Sequence, residues 1–337
     1  MRLKIKRQGC ILILMLLPFL PHAADEETSS DEPAPDVTNE QVSENQATPK
    51  EVLPRSFTPS QINRISALTE QISKESPNEI ELLTFQDTQF LSLYRPAQGN
   101  DQQGCIIMLH GNNEHPNWPN VINPIRVSMT KNSWCTLSIE IPDSMNKEAL
   151  SFIQNKTTAA NEEELSTDKT DEDKILLPNE DVIFGRINTS IDFLNQKGVS
   201  DISLLGYGTG ATYALKYSIN NLESGALMLI SATMPNKISP YPFATMLANS
   251  RQAVLDYYIE PNQLDKQYAN ARLTSMSQRE TKTPLYTQIK VTSNSQYAID
   301  EKQLLRRVRG FLKQNTKQRE QLKQLPISQK ALFYQTP

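Results

Sequence analysis

The chain is short of the residues that most often carry catalysis and metal binding. It has three histidines in 337 residues, at positions 22, 110 and 115, and none after position 115. Any mechanism that needs a histidine in the carboxyl-terminal two thirds is therefore excluded. Three cysteines are too few for a disulfide-framed small domain or a four-cysteine zinc site. Only one long apolar run occurs, near the amino terminus, so no second membrane-crossing segment is expected. No fixed-period repeat is visible, which argues against solenoids and propellers. A basic surplus is missing too. Lysine and arginine total 34 against 38 acids, a net charge of −4.

The charge is unevenly placed. Arg2, Lys4, Lys6 and Arg7 precede an apolar run from Cys10 to about Leu20, and Ala23 and Ala24 follow. This is the layout of a secretory leader, residues 1–24, with an exported, periplasmic mature chain expected. Without the four leader cations the net charge falls from −4 to −8. Residues 25–51 hold nine acids and one lysine, also −8, so the chain from residue 52 onward is neutral. A neutral body offers no electrostatic footprint for nucleic acid. Residues 25–56 are rich in Pro, Ser, Thr and Glu and are read as a disordered acidic linker, because they cannot bury enough apolar surface to offset the entropy of ordering. A single domain over 57–316 and a tail over 317–337 complete the expected organisation.

From residue 104 the sequence alternates between two kinds of segment. Apolar runs such as "GCIIMLHG", "WCTLSIEIP", "DISLLG", "GALMLISA", "AVLDYYIE" and "YTQIKVT" read as strands. Between them lie stretches with helical spacing, including Val182, Ile183, Ile187, Ile191 and Leu194, and the closing "DEKQLLRRVRGFLKQN". This predicts an α/β fold, a mostly parallel sheet with helices on both faces. Upstream, "IELLTF" and "QFLSLYRP" predict an antiparallel edge hairpin. Before that, Ile62, Ile65, Leu68 and Ile72 predict a helix capped at Thr58 with Pro59 in its first turn. Residues 144–180 break the rhythm. They include "NEEELSTDKTDEDK", with seven acids and two lysines, and are expected to be an exposed insertion.

The most informative stretch is "LLGYGTGA", residues 204–211. Its letters satisfy a dinucleotide turn, but that turn belongs in the first strand–helix unit, with an acid ending the next strand. Here it falls two strands late and the next strand ends "LISAT", so no nucleotide cofactor is expected. The other reading is a nucleophile elbow, G-x-S-x-G, in which a serine sits on a strained turn between strand and helix. Gly206, Gly208 and Gly210 supply the frame, but residue 208, the nucleophile position, is glycine. Glycine adopts the strained dihedrals of such a turn without penalty.

Taken with "LHGNNEHPNWPNVINPIRVSM", "CTLSIEIP", "AVLDYYIE" and "LLRRVRGFL", this turn means that residues 80–315 resemble the α/β-hydrolase superfamily. More narrowly they resemble an exported bacterial branch of uncharacterised function. The resemblance implies an oxyanion loop at His110 and Gly111, an acid near Asp256, Glu260 or Asp265, and a histidine after the last strand, near residues 292–297. No histidine stands there. The order Ser…Asp…His cannot be assembled, and loss of serine or histidine alone can cost about six powers of ten in turnover. The first expectation is thus a binding or degenerate module without the triad. The second is an esterase-like hydrolase or acyltransferase with rearranged residues, Thr209 attacking and His110 as base. The third is a periplasmic partner-binding scaffold using the acidic linker and insertion.

Two further constellations call for weighing. His110, Glu114 and His115 are spaced H-x-x-x-E-H in a Gly- and Pro-containing loop, which fits no helical zinc motif, so no metal is expected. That loop, with Trp118 between Pro116 and Pro119, borders the elbow; Glu114, His115, Trp118 and Tyr207 are the ligand-pocket candidates, for an unknown small ligand or protein partner. Cys105 and Cys135 begin two strands. As neighbours they either bridge, closing a loop worth about 3–4 kcal/mol, or serve as buried small apolar side chains.

Overall fold

The computed structural model describes residues 59–99, 101–144, 175–221, 225–235, 239–260, 263–278, 285–291 and 299–318. The leader, the acidic linker, most of the insertion and most of the tail lie outside these residues. All the elements below belong to one compact unit, Ser56–Pro337.

The amino-terminal helix α1 spans Gln61–Glu75. Its cap is Ser60, whose hydroxyl accepts the Asn63 N–H at 3.4 Å, and not Thr58. The helix thus starts later than expected, and Pro59 precedes the cap instead of entering the first turn. Leu68 and Ile72 are buried against Leu91 and Leu93, whereas Ile62 is 80% exposed and takes no part. Strands β1 (Ile80–Phe85) and β2 (Thr88–Arg95) form the predicted hairpin. Its two-residue turn is Gln86–Asp87, both left-handed (φ 46° and 59°). That geometry matches the natural twist of a hairpin.

The core of the sheet comprises β3 (Gly104–Leu109), β4 (Trp134–Ile139), β5 (Ile202–Tyr207), β6 (Ala226–Ile230) and β7 (Ala253–Ile259), with β8 (Tyr286–Val291) at the far edge. The strand order is β1-β2-β4-β3-β5-β6-β7-β8. Strands β3 to β8 pair in parallel, and the hairpin joins antiparallel through β2 and β4. Every residue of β3, β4 and β6 is buried. Continuous apolar runs are what strands covered on both faces require.

The covering helices are α2 (Ile122–Thr130), α3 (Glu180–Gln196), α4 (Thr209–Asn221), α5 (Tyr241–Ala248), α6 (Gln263–Ser277) and α7 (Glu301–Asn315). Alternation along the strands assigns each side chain to a face. Ile107, Leu109, Leu204 and Leu229 pack with α3, α4 and α5, while Ile106, Met108, Leu205 and Met228 pack with α2 and α7. Helix α3 begins at Glu180, where the predicted helical stretch opens.

Cys105 and Cys135 face each other in register on β3 and β4, and they are disulfide-bonded and fully buried. The even choice that the sequence left between bond and free thiols resolves as a bond. Replacing both by serine should lower unfolding free energy by about 3–4 kcal/mol. Chemical denaturation of the variant checks this, and thiol titration of unfolded, unreduced protein should find neither thiol free.

Candidate functional site

The elbow joins β5 to α4. Gly208 sits between them with φ +59°, the left-handed conformation of a sharp strand-to-helix turn. Gly208 N–H donates to Ile230 O at 3.0 Å, and its own carbonyl accepts from Thr233 N–H at 3.0 Å. The bend is therefore tied to the segment leaving β6. A β-carbon at Gly206 would stand 2.3 Å from Ala211 Cα, and one at Gly210 2.4 Å from the His110 carbonyl oxygen. Both glycines are imposed by backbone approaching backbone. At Gly208 the nearest atom to such a carbon would be Gly111 Cα, at 3.4 Å. A β-carbon there would make ordinary contact, and its cost would be the left-handed conformation.

Thr209 opens α4, and its hydroxyl is turned to the loop after β3. Oγ1 accepts the Asn112 N–H at 2.8 Å. Next to it, Gly111 N–H donates to Glu114 Oε2 at 2.7 Å, and Glu114 N–H closes the turn on Gly111 O at 3.2 Å. Two backbone donors of the loop after β3, Gly111 N–H and Asn112 N–H, are thus satisfied from within the chain.

His110 is 1% exposed. Its Nδ1 meets the Gly111 carbonyl at 2.8 Å and its Nε2 accepts the Ile141 N–H at 3.1 Å. A carbonyl can only accept and an amide N–H can only donate, so one neutral tautomer fits, with hydrogen on Nδ1. Burial pushes its pKa down to about 4, against the opposing Gly111 hydrogen bond and the Asp143 charge. Burial also lowers His115, with the Arg64 charge adding to it; His115 Nδ1 accepts the Asn117 N–H, and its ring meets Trp118 edge-on at 5.3 Å. Tyr207, the last residue of β5, is half-buried. Burial raises its phenol, and the Glu114 charge raises it further. Glu114, His115, Trp118 and Tyr207 therefore gather around the elbow, each with a partner.

The shifts of Glu114 and His110 act on stability with opposite signs. Burial pushes the Glu114 carboxyl up to about 7 from an ordinary 4.5, with the Gly111 N–H working the other way. The unfolded chain loses that proton first, so stability falls as pH rises from about 4.5 to about 7. The sum is up to about 3 kcal/mol. His110 has the opposite sign. Its stabilisation is whole above 6.5 and is lost as pH falls through 4. Between 4.5 and 6.5 the two contributions offset. Glu114→Gln should therefore be more stable than the wild type at pH 8, converge with it near pH 4.5, and show a steeper loss on acidification below 6.5. Thermal melts across that range check this.

The acids near the far end of the sheet stand apart from the elbow chemistry. Asp256 lies within β7, fully buried, paired in register with Leu229 and Gln288. Its Oδ2 accepts from Arg272 Nε at 2.7 Å, Tyr286 OH at 2.7 Å and Gln288 Nε2 at 3.0 Å. Glu260 follows the end of β7 and pairs with Lys290 at 2.9 Å. Asp265 is on α6, its carboxyl raised by burial first, then lowered by Arg272 and raised by Glu260. Residues 292–298, where the resemblance would place a histidine, lie outside the described residues. Among the described residues no group of three His, Cys, Asp or Glu side chains comes together to hold a metal ion.

Sequence reasoning missed the residues that order the loop. Asp143 Oδ1 accepts Asn113 N–H at 2.8 Å, while its Oδ2 accepts from Arg64 at 2.6 Å. Gln61 accepts the Asp143 N–H at 2.9 Å and donates to Glu140 at 3.0 Å. Asn112 Oδ1 accepts Ser144 N–H at 2.8 Å. Helix α1 is thereby clamped to the loop beside the elbow. The one available signal was an acid just past a strand, after Pro142.

Strand order, the antiparallel start and a bend after the fifth strand define the molecule as an α/β-hydrolase-fold protein. Residues 8–314 match the family described as "Protein of unknown function (DUF3530)", and the chain belongs to it. No curated protein matches the chain. Solved structures similar to it include a dienelactone hydrolase from Anabaena variabilis (13% identity, TM-score 0.49, 70% of this chain and 97% of that one). Est1E from Butyrivibrio proteoclasticus with ferulic acid bound is another (10% identity, TM-score 0.47, 70% and 98%). An α/β serine hydrolase homologue from Coxiella burnetii is a third (14% identity, TM-score 0.42, 70% and 95%).

Proposed function

We propose that this chain is an exported binding protein, built on an α/β-hydrolase scaffold whose hydrolytic chemistry is gone. The observation that carries the reading is Gly208 at the elbow, a glycine at the nucleophile position where an added β-carbon would make only ordinary contact, 3.4 Å from Gly111 Cα. Three features support it. The Asn112 N–H is filled by Thr209 Oγ1 and the Gly111 N–H by Glu114. Both nitrogens of His110 are committed to the backbone, which leaves neither to take a proton from Thr209. No histidine follows the elbow in the whole sequence. The rearranged Thr209/His110 hydrolase has no observation in its favour. Export rests on the basic, apolar, then small-residue pattern of residues 1–24.

The test is an assay of the purified exported chain against short-chain nitrophenyl esters, with a fluorophosphonate probe alongside. Turnover at the buffer rate and no labelled adduct are expected. Measurable turnover that disappears in Thr209→Ala would overturn the reading. Thr209→Val should free the Asn112 N–H without adding activity, because no attacking group is gained.

A further inference from the structure

Away from the elbow, on the α7 side of the sheet, Gln303, Arg306 and Arg307 stand at i, i+3 and i+4 of α7 and share one patch of its surface. Among the described residues they are the ones that line a cavity of about 310 Å3. Gln303 is oriented from beneath. Buried Tyr257 of β7 donates its hydroxyl hydrogen to Gln303 Oε1 at 3.1 Å. That fixes the amide and leaves its Nε2 hydrogens for an acceptor. The Gln303 backbone N–H is taken by the Asp300 cap at 3.1 Å, which anchors the first turn of the helix. Among the described residues no carboxylate lies within ion-pair distance of Arg306 or Arg307.

Among the described residues this lining therefore offers N–H donors, and its one side-chain acceptor, Gln303 Oε1, is engaged by Tyr257. These donors favour an acceptor-rich anion. Two guanidinium forks balance a dianion and suit the tetrahedral oxygens of a phosphoryl group. A phosphate monoester carries about −1.5 to −2 near pH 7. The volume is at the small end of ligand pockets, enough for one compact molecule. Residues from 52 onward have no surplus positive charge to hold a longer polyanion. We propose that Gln303, Arg306 and Arg307 form a binding site for the phosphoryl group of a small phosphate monoester, free or as a lipid headgroup. The site is independent of the elbow reading.

Titration calorimetry of the exported chain with glycerol 3-phosphate at constant ionic strength is the test, with co-sedimentation on phosphatidylcholine vesicles with and without phosphatidic acid. Binding with one-to-one stoichiometry is expected, weakened about tenfold by Arg306→Ala or Arg307→Ala and lost in the double variant. Arg309→Ala removes the same charge from the same helix outside the cavity and should bind like the wild type. Unchanged melts of these exposed-arginine variants separate lost binding from lost folding. Binding confined to phosphatidic acid vesicles, and lost in the double variant, assigns the phosphoryl group to a lipid. No binding to either probe overturns the site, as does a loss in Arg309→Ala equal to that in Arg306→Ala, which would mark diffuse surface charge.

Discussion

Alanine at Gly206 or Gly210 is expected to unfold the protein or cost about 4–5 kcal/mol, whereas serine at Gly208 is expected to cost only about 1–2 kcal/mol. The three glycines look alike in sequence and differ in what surrounds them. A β-carbon on Gly206 would overlap the Ala211 backbone at 2.3 Å, and one on Gly210 the Leu109 and His110 carbonyl oxygens at 2.5 and 2.4 Å. Backbone on both sides cannot yield without separating α4 from β5 and β3. At Gly208 the cost is that of the left-handed conformation alone, since the added carbon reaches only ordinary contact at 3.4 Å. Urea denaturation of the three variants gives the ranking. Gly208→Ser should remain as inactive towards esters as the wild type. It restores an oxygen but no base, and a lone triad member retains little of the full rate. If Gly208→Ser proved as damaging as Gly206→Ala, the elbow geometry would be wrong. If it hydrolysed esters, the loss of a base would be wrong.

The fold was legible because its signals are local. A buried parallel strand must be apolar along its whole length, and "GCIIML", "WCTLSI" and "ALMLI" are so written. The glycine spacing after β5 marks a bend where backbones meet, which any reader of residues 204–211 can see. Other features depend on distant pairings that no window of sequence contains. The Thr209 hydroxyl finds its donor 97 residues away, on Asn112. Arg64 finds Asp143 across 79 residues. His110 could be read from its position as a loop histidine facing the elbow. Its role as a buried hinge between Gly111 and Ile141 follows only once β3 and β4 lie side by side. The difference at α1 has a smaller cause: Thr58 and Ser60 are both caps by residue type, with serine the better of the two, and Ser60 is the one used.

Asp256→Ala is expected to lose about 3–5 kcal/mol, and Arg272→Ala a similar amount, while replacing both by leucine should cost less than either alone. The pair is buried, with the arginine side chain 8% exposed and the aspartate 0%. Removing one partner leaves the other charged and dry. Removing both leaves neither, and leucine refills part of the space. Tyr286 and Gln288 complete the cluster and tie β8 and α6 to β7. The strand position gives this test its bearing on function. An acid that orients a catalytic histidine belongs at the carboxyl end of its strand, facing the elbow. Asp256 stands three residues before the end of β7, and its Oδ2 meets an arginine, a tyrosine and a glutamine. Denaturation of the two single variants and the double variant measures the coupling. Equal, additive losses in all combinations would mean the pair contributes nothing as a pair, and the reading of Asp256 as a structural anchor for the last strand and helix would fail.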